Sequence, residues 1–307
     1  MQLPSPIEVK YLRHLLPEIK KYLFSRSNTP DLSLKMLPLL NQFIWGIQRK
    51  CLTIIGARTS EGKSTLAVQI AYDLASQGKV VLFLSLETTV EKIGVRLFCL
   101  HSHFDNAKAF RGAVKDVPHI YDKFEREIGG FPLIVNDMLG KNWEDIEQVI
   151  NQCQLKPDVV IVDYIQTIAE KEGRNKLDTI NEYIRHFREM AIRNDFAGII
   201  CSQINRTATD EANQPQLHQL KGSGFLEEHA DVVLLLSWPF KNLKQTDKKI
   251  FTYDQFHKFI VYVAKNKDGM TGFKYLKFIP DYYLFEDWVE QEKIDSSKGR
   301  KDMDWEE

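Results

Sequence analysis

The chain contains the stretch Leu52-Thr53-Ile54-Ile55-Gly56-Ala57-Arg58-Thr59-Ser60-Glu61-Gly62-Lys63-Ser64-Thr65. An apolar run typical of a buried strand passes directly into a short polar loop, and apolar residues at helical spacing follow Lys63. This order of strand, loop and helix predicts a phosphate-binding loop over Ala57–Thr65, although the usual pattern has glycine where this chain has Ala57.

The types of residue in this loop match separate chemical tasks. Gly62 lets backbone N–H groups approach phosphate oxygens, Lys63 reaches the β and γ phosphates, and the Ser64 hydroxyl is a ligand for Mg²⁺. A helix that begins here points its positive end at the anion. The loop therefore predicts a site for phosphate groups with Mg²⁺.

Composition limits the classes of function. The 307 residues carry a formal net charge of −1, so the chain does not bind nucleic acid through its overall charge, and any such binding needs a local basic surface. No apolar run approaches the roughly 20 residues that span a bilayer. The N-terminus lacks a signal-like pattern, so we expect a cytoplasmic protein, or one in the host cytoplasm if the source is viral.

The cysteines are widely spaced and form no paired motif, as suits a reducing cytosol; they are Cys51, Cys99, Cys153 and Cys201. Cys99 lies near His101 and His103, which leaves two interpretations. The three are zinc ligands, or they mark the end of a partly buried helix, and we favour the second.

Apolar runs alternate with helical patterns from Cys51 onward. The predicted strands cover 52–56, 80–84, 131–135, 159–162, 197–201 and 232–236, and the predicted helices cover 63–76, 89–101, 143–154, 177–193 and 225–231. Strands this apolar are expected to be buried on both faces of a mainly parallel sheet. The pattern predicts an α/β fold that ends in a β-hairpin, with strands at 259–263 and 273–278.

The domain organisation follows from composition. Residues 1–30 form a helical arm, with apolar positions at helical spacing over 7–24 and an interruption at Pro17, and this arm packs on the chain's own core or on a neighbouring subunit. Residues 31–289 form the main domain, and 290–307 form a charged, loosely ordered tail.

Polar side chains follow several predicted strands. Asp163 ends an apolar strand, where a second Mg²⁺ contact is expected in a protein with a phosphate loop. Glu87 either activates the attacking water or is a helix-start acid, and Gln203 either detects the γ phosphate or is a polar strand cap. The long polar segment 207–220 is expected to be functional or disordered.

These blocks, in this order, resemble the RecA-like motor domain of DnaB-type replicative hexameric helicases, from about Trp45 to Asp287. The resemblance rests on the phosphate loop and on five later blocks. These are Phe83-Leu84-Ser85-Leu86-Glu87, Val159-Val160-Ile161-Val162-Asp163-Tyr164-Ile165-Gln166, Ser202-Gln203-Ile204-Asn205-Arg206, the segment 223–231, and Ala264-Lys265-Asn266-Lys267-Asp268-Gly269-Met270-Thr271-Gly272.

The resemblance implies a RecA-like P-loop NTPase core that hydrolyses ATP with Mg²⁺. It gives Glu87 the role of catalytic glutamate, places Ser64 and Asp163 at Mg²⁺, makes Gln203 a γ-phosphate sensor, and directs Lys265 and Lys267 into a neighbour's site. Subunits would form a homo-hexameric ring, with single-stranded DNA held by loops near 170–178 and 207–221 and stepped 5′ to 3′. The candidate DNA contacts are Arg174, Asn175, Arg206, Lys221 and Gly222. A replication-loading protein is an implied partner, and the arm corresponds to a linker helix that packs on the next subunit.

Three departures from the family pattern qualify these expectations. Lys267 stands where the family has an arginine finger, and lysine lacks the two-pronged donor that fits phosphate. The loop 207–220 contains Asp210 and Glu211 without lysine or arginine, which weakens the case for DNA binding. About 50 residues precede the motor, so we expect a motor-only member without the N-terminal collar, as from a virus or mobile element.

The expected function is therefore an ATP-dependent, ring-forming DNA helicase or translocase. The alternative is a RecA-like ATPase that binds DNA or protein without unwinding, such as a recombination or loading factor. A third interpretation, a binding module with an inactive site, is opposed by the intact set of Lys63, Ser64, Glu87, Asp163 and Gln203.

Overall fold

The computed structural model describes residues 11–25, 30–168, 176–204, 215–220, 223–241 and 256–289. The helices within these ranges are α1 (Leu12–Ser25), α2 (Pro38–Ile44), α3 (Lys63–Ser76), α4 (Val90–Ser102), α5 (Asn106–Phe110), α6 (Pro118–Ile128), α7 (Trp143–Gln152), α8 (Lys176–Asn194) and α9 (Ser223–His229). The strands are β1 (Leu52–Ala57), β2 (Val81–Ser85), β3 (Leu133–Asp137), β4 (Val159–Asp163), β5 (Ala197–Gln203), β6 (Val232–Ser237), β7 (Lys258–Asn266), β8 (Gly272–Ile279) and β9 (Leu284–Asp287).

The strands form one sheet in the order β3-β2-β4-β5-β1-β6-β7-β8-β9. The strands from β3 to β6 along this order run parallel, so their carboxyl ends meet at one edge of the sheet. The last three strands continue the sheet in antiparallel pairs. The predicted mainly parallel α/β sheet with a C-terminal hairpin is confirmed, and β9 extends that hairpin to three strands.

Helices cover both faces of the parallel part. Alternate strand residues point to opposite faces, so Ile55 packs with the α3 and α4 side while Ile54 packs with the α7 and α8 side. Both faces of the sheet are therefore shielded from water. This explains why the central strands are continuous apolar runs and do not alternate between apolar and polar residues.

Strand β3 differs from its prediction. It covers Leu133–Asp137 rather than 131–135, and its residues are half-buried or exposed rather than buried. The cause is position, because β3 lies at the edge of the sheet and pairs only with β2. Pro132, which has no N–H to donate, precedes the strand and accepts a bond from Val81 N–H through its carbonyl.

Several short elements were not predicted from the sequence, namely α2, α5, α6 and β9. Strand β9 has four residues, of which only Leu284 and Phe285 are buried, so no period is visible in its sequence. It is nevertheless tied to α3, because Gln69 Nε2 donates to Phe285 O and Phe285 N donates to Gln69 Oε1, each at 2.7 Å.

Helix α1 belongs to the predicted arm and contains Pro17. Several of its apolar side chains are exposed, including Leu16 at 54%, Leu23 at 60% and Phe24 at 81%, so these do not pack on the described core of the chain. Residues 1–10, 26–29 and 290–307, which cover parts of the predicted arm and the whole predicted tail, lie outside the described residues, and the predicted domain limits stay predictions. Among the described helices, none combines the length and apolarity needed to cross a membrane.

Candidate nucleotide-binding site

The phosphate loop joins β1 to α3 at the carboxyl edge of the sheet. Residues Arg58–Gly62 form the turn, and α3 begins at Lys63, so the amino end of a 14-residue helix faces the loop. Gly62 has φ +75°, a left-handed backbone, and a Cβ at this position would lie 2.7 Å from Phe285 Cζ. Both the backbone angle and the packing of Phe285 therefore require glycine.

Lys63 is held between an acid and an aromatic ring. Its Nζ lies 3.6 Å from Asp163 Oδ1 and 3.6 Å from the centroid of the Tyr164 ring. Asp163 is the last residue of β4 and is fully buried, yet neither of its carboxylate oxygens has a nitrogen or oxygen hydrogen-bond donor in the described structure. A buried carboxylate with open lone pairs beside a phosphate loop is suited to a cation.

The Cys201 thiol lies beside this pair. Burial, followed by the negative charge of Asp163, raises the pKa of Cys201 well above its ordinary value. Burial likewise raises the pKa of Cys51 and of Cys99 to about 11. All four cysteines are free, and these three remain protonated at neutral pH.

Gln203 ends β5 and touches the phosphate loop. Its Nε2 donates to Thr59 Oγ1 at 3.0 Å, and its backbone N–H donates to Gln166 Oε1 at 3.1 Å. Gln166 in turn donates through Nε2 to Ser202 Oγ at 2.7 Å. From sequence, Gln166 was only the last residue of the block 159–166, and its hydrogen bond to the Gln203 backbone emerges from the fold.

Glu87 lies two residues after β2, is exposed, and lines the same cavity. Its charge and that of Asp163 add to the effect of burial in raising the pKa of Tyr164. The structure thus brings Lys63, Glu87 and Gln203 around one cavity, with Asp163 joined to it through Lys63.

The cavity has a volume of about 360 Å³ and extends beyond the phosphate loop. Its far end is lined by Arg96, Asn106, Phe278, Pro280 and Tyr283. The Arg96 guanidinium carbon lies 5.8 Å from the Tyr283 ring centroid, and Asn106 Nδ2 donates to Pro280 O at 2.7 Å. Sequence reasoning missed these residues, because they come from separate segments without a shared motif.

Lys265 and Lys267 lie away from this cavity. Strand β7 runs antiparallel to β6 with Val232 opposite Asn266, which puts both lysines near the amino end of the parallel strands. The phosphate loop follows the opposite end of β1, six residues or about 20 Å along the sheet. These two residues therefore do not reach the phosphate loop of their own chain.

Both lysines are engaged within their own chain. Lys267 Nζ lies 3.3 Å from Asp231 Oδ1, and Lys265 Nζ donates to the Glu227 carbonyl at 2.6 Å, at the carboxyl end of α9. Asp231 also accepts from Arg188 Nη2 at 3.0 Å and from Leu52 N–H at 2.9 Å. Burial opposes ionisation of Asp231, but these three donors outweigh it and hold the pKa of its carboxyl below the ordinary value.

The remaining candidates divide into two groups. The predicted DNA contacts Arg174, Asn175, Arg206, Lys221 and Gly222 lie outside the described residues. At the end of α4, near Cys99 and His103, His101 bonds to Tyr72 through Nδ1 and to Glu127 through Nε2. Within the described ranges, no group of three or more His, Cys, Asp or Glu residues is placed to hold a metal.

The chain is similar to known replicative DNA helicases. The family described as "DnaB-like helicase C terminal domain" matches residues 35–287. A probable plasmid replicative DNA helicase of Chlamydia muridarum is 30% identical over 236 residues, which cover 74% of this chain and 48% of that protein. The replicative DNA helicase DnaB of Geobacillus stearothermophilus is 25% identical over 256 residues, which cover 80% of this chain and 54% of that protein.

Solved structures match the fold over most of the chain. An ATPase domain solved by itself has a TM-score of 0.76 at 22% identity, and the match covers 92% of this chain and 100% of that one. A DnaB-like replicative helicase studied for its interactions with primase has a TM-score of 0.78 at 22% identity, and the match covers 91% of this chain and 69% of that one. The chain spans about half the length of the curated relatives it matches. With the phosphate loop, the strand order and the family match in agreement, the chain belongs to the family of DnaB-like helicase C-terminal domains.

Proposed function

We propose that this chain is the ATP-hydrolysing motor of a ring-forming DNA helicase that moves along single-stranded DNA. The observation that carries the proposal is the convergence of four strand ends on one cavity, with Lys63, Glu87 and Gln203 lining it and Asp163 paired to Lys63. Relatives that share most of this chain are named replicative DNA helicases.

The residues present fit ATP with Mg²⁺. The buried Asp163 carboxylate has oxygens open to a cation, and Ser64 places a hydroxyl in the first turn of α3. These two residues would hold the metal, Ser64 directly and Asp163 through water. When bound, Mg²⁺ neutralises charge on the phosphate oxygens.

Glu87 is the base in this proposal. Its exposed carboxylate lines the cavity and accepts a proton from a water molecule. The water oxygen then bonds to the γ phosphorus, and the bond from that phosphorus to the ADP oxygen breaks. Lys63 and the N–H groups at the start of α3 stabilise the charge that remains on the phosphates.

Gln203 connects the phosphates to the predicted DNA loop. Ile204, the next residue, pairs with Leu220 in an isolated antiparallel bridge, so the segment between them starts and ends beside the cavity. A change at the γ phosphate that moves Gln203 is thereby transmitted to the base of that segment. Contacts of Arg206, Lys221 and Gly222 with DNA are part of the proposal, as are those of Arg174 and Asn175.

A second subunit completes the site. Lys265 and Lys267 lie at the edge of the sheet opposite their own phosphate loop, so any phosphate they contact belongs to a neighbour. The exposed apolar face of α1 is suited to pack on that neighbour, which supports a homo-hexameric ring. A cytoplasmic location and a loading protein as partner belong to the same proposal.

One observation favours the alternative, a RecA-like ATPase that binds DNA or protein without unwinding. Lys267 is paired with Asp231 of its own chain, and lysine offers phosphate no bidentate fork. An enzyme with a weak trans residue would hydrolyse ATP slowly and unwind poorly.

The test is ATP hydrolysis with and without single-stranded DNA, together with strand separation on a forked duplex. We expect Mg²⁺-dependent hydrolysis that DNA stimulates, an increase in solution mass with an ATP analogue, and loss of hydrolysis in Lys63→Ala. Hydrolysis that survives Lys63→Ala contradicts the site. A monomer that hydrolyses ATP without responding to DNA, and that separates no strands, supports the alternative.

A further inference from the structure

Lys241 contacts the phosphate loop from outside the cavity. It follows β6 by four residues, and its Nζ donates to the carbonyl oxygens of Thr59 at 3.1 Å and Ser60 at 2.9 Å. Neither the motif pattern nor the sequence spacing pointed to this residue. The two carbonyls belong to successive residues at the tip of the loop.

The backbone at the tip adopts an unfavourable conformation that other contacts must stabilise. Ser60 has φ +60°, a left-handed conformation that side chains other than glycine disfavour. Lys241 binds the carbonyl on each side of the Ser60 α-carbon, so it stabilises both peptide groups that define this conformation. An ammonium is well suited to this, because its three donors can serve two carbonyl oxygens at once.

The contact also sets the direction of the loop's donors. In a trans peptide the N–H points opposite to the C=O. Since Lys241 binds the Thr59 carbonyl, the Ser60 N–H points away from the Lys241 ammonium, and both Thr59 and Ser60 line the cavity. Gln203 fixes the same tip through the Thr59 hydroxyl.

Lys241 lies in a hydrogen-bonded turn that follows β6. Its N–H donates to the Trp238 carbonyl at 3.1 Å. Trp238 packs against Phe278 with ring centroids 5.2 Å apart, and its Nε1 donates to Phe256 O at 2.9 Å. The aromatic cluster that anchors this turn also contains Phe285, which backs Gly62. The tip of the loop, held by Lys241, and its end at Gly62 thus rest on one cluster.

We propose that Lys241 is a positioning residue that holds the tip of the phosphate loop in its binding conformation. The tip is bonded to Gln203 and lines the same cavity as Glu87, so we infer that it serves the terminal phosphate of the nucleotide. This inference rests on the proposed ATP-binding function of the same site.

The experiment compares Lys241→Met and Lys241→Arg with the intact chain, with fluorescent ATP-analogue and ADP titrations and steady-state hydrolysis. Lys79→Met is the matched control, because Lys79 also bonds an oxygen, Asp31 Oδ1 at 2.6 Å, but does so near the amino end of the sheet. Thermal unfolding without nucleotide shows whether each variant is folded.

We expect Lys241→Met to weaken binding of the ATP analogue by about tenfold and that of ADP by no more than about twofold, with a lower kcat. Lys241→Arg, which keeps the charge and the donors, should bind the ATP analogue nearly as tightly as the intact chain. Lys79→Met should match the intact chain in nucleotide binding and in kcat. Equal loss of ATP and ADP binding, or no loss, overturns the inference while leaving the proposed function in place. An intact chain that binds neither nucleotide overturns both.

Discussion

Gly62 and Gly78 adopt nearly the same left-handed backbone, with φ +75° and φ +78°, in different surroundings. A Cβ on Gly62 would lie 2.7 Å from Phe285 Cζ, whereas a Cβ on Gly78 would meet nothing within 4 Å. Alanine at either site costs about the same backbone free energy. The difference in free energy of unfolding between the two variants therefore measures how much the packing of Phe285 against the phosphate loop contributes to stability.

We predict that Gly78→Ala lowers the free energy of unfolding by about 1 kcal/mol, from the left-handed backbone alone. Gly62→Ala should lower it by about 2 to 4 kcal/mol, because Phe285 must also move. Urea unfolding measures both values. Nucleotide titration should show weaker binding only for Gly62→Ala, and equal free energies with unchanged binding would contradict the role given to Phe285.

At the scale of elements, Asp231 joins β6 to three others. Its side chain is 8% exposed and accepts from Leu52 of β1, Arg188 of α8 and Lys267 just after β7. Asp31, by contrast, is 53% exposed and pairs with Arg49 and Lys79 at the surface. Hydrogen bonding from Lys79 is the largest cause that lowers the pKa of Asp31, and the pKa of Asp231 is lowered as well.

We predict that Asp231→Asn lowers the free energy of unfolding by about 3 kcal/mol at neutral pH, since it leaves Arg188 and Lys267 without their buried acid. Because the folded pKa of Asp231 lies below the unfolded value, this stability is present above the unfolded pKa and is lost as pH falls through the folded one. Urea unfolding from about pH 7 down to about pH 2 should show a constant difference between variant and intact chain above about pH 5, and a shrinking difference as the pH falls further.

Asp31→Asn is the control, with an expected cost under about 1 kcal/mol because its ion pairs are exposed to solvent. A cost for Asp231→Asn no larger than that of Asp31→Asn, or one independent of pH, would show that Asp231 does not join these elements.

The elements also show what the sequence could predict. Long apolar runs such as Val159–Asp163 identified the buried strands, because a strand covered on both faces has no polar positions. Strand β3 was misjudged since its edge position depends on strand order, which no local pattern encodes. Lys63, Glu87 and Gln203 were found from position after a strand, whereas Lys241 and Arg96 were missed because only tertiary packing brings them to the site.

For the whole molecule, the placement of Lys267 at the edge opposite its own phosphate loop gives a test of assembly. A Lys63→Ala subunit has no working site of its own but can supply Lys267, and a Lys267→Ala subunit has the reverse defect. We predict that each variant alone hydrolyses ATP poorly and that an equal mixture recovers activity at about a quarter of the sites, as random neighbours in a head-to-tail ring would give.

Hydrolysis is measured as a function of mixing ratio, at a protein concentration where solution mass shows assembly. Mixing each variant with the intact chain controls for subunit exchange. A mixture whose activity is only the sum of the two variants contradicts a contribution of Lys267 to the neighbour.

The pairing of Gln69 with Phe285 spans 216 residues of sequence. During synthesis, the phosphate loop leaves the ribosome long before the strand that backs Gly62 has been translated. Until β9 is added to the sheet, the phosphate loop of the emerging chain lacks the packing of Phe285 against Gly62. Nucleotide binding at the proposed site would then become possible only late in synthesis, and a chain interrupted before Leu284 would carry the phosphate-loop sequence without the strand that backs Gly62.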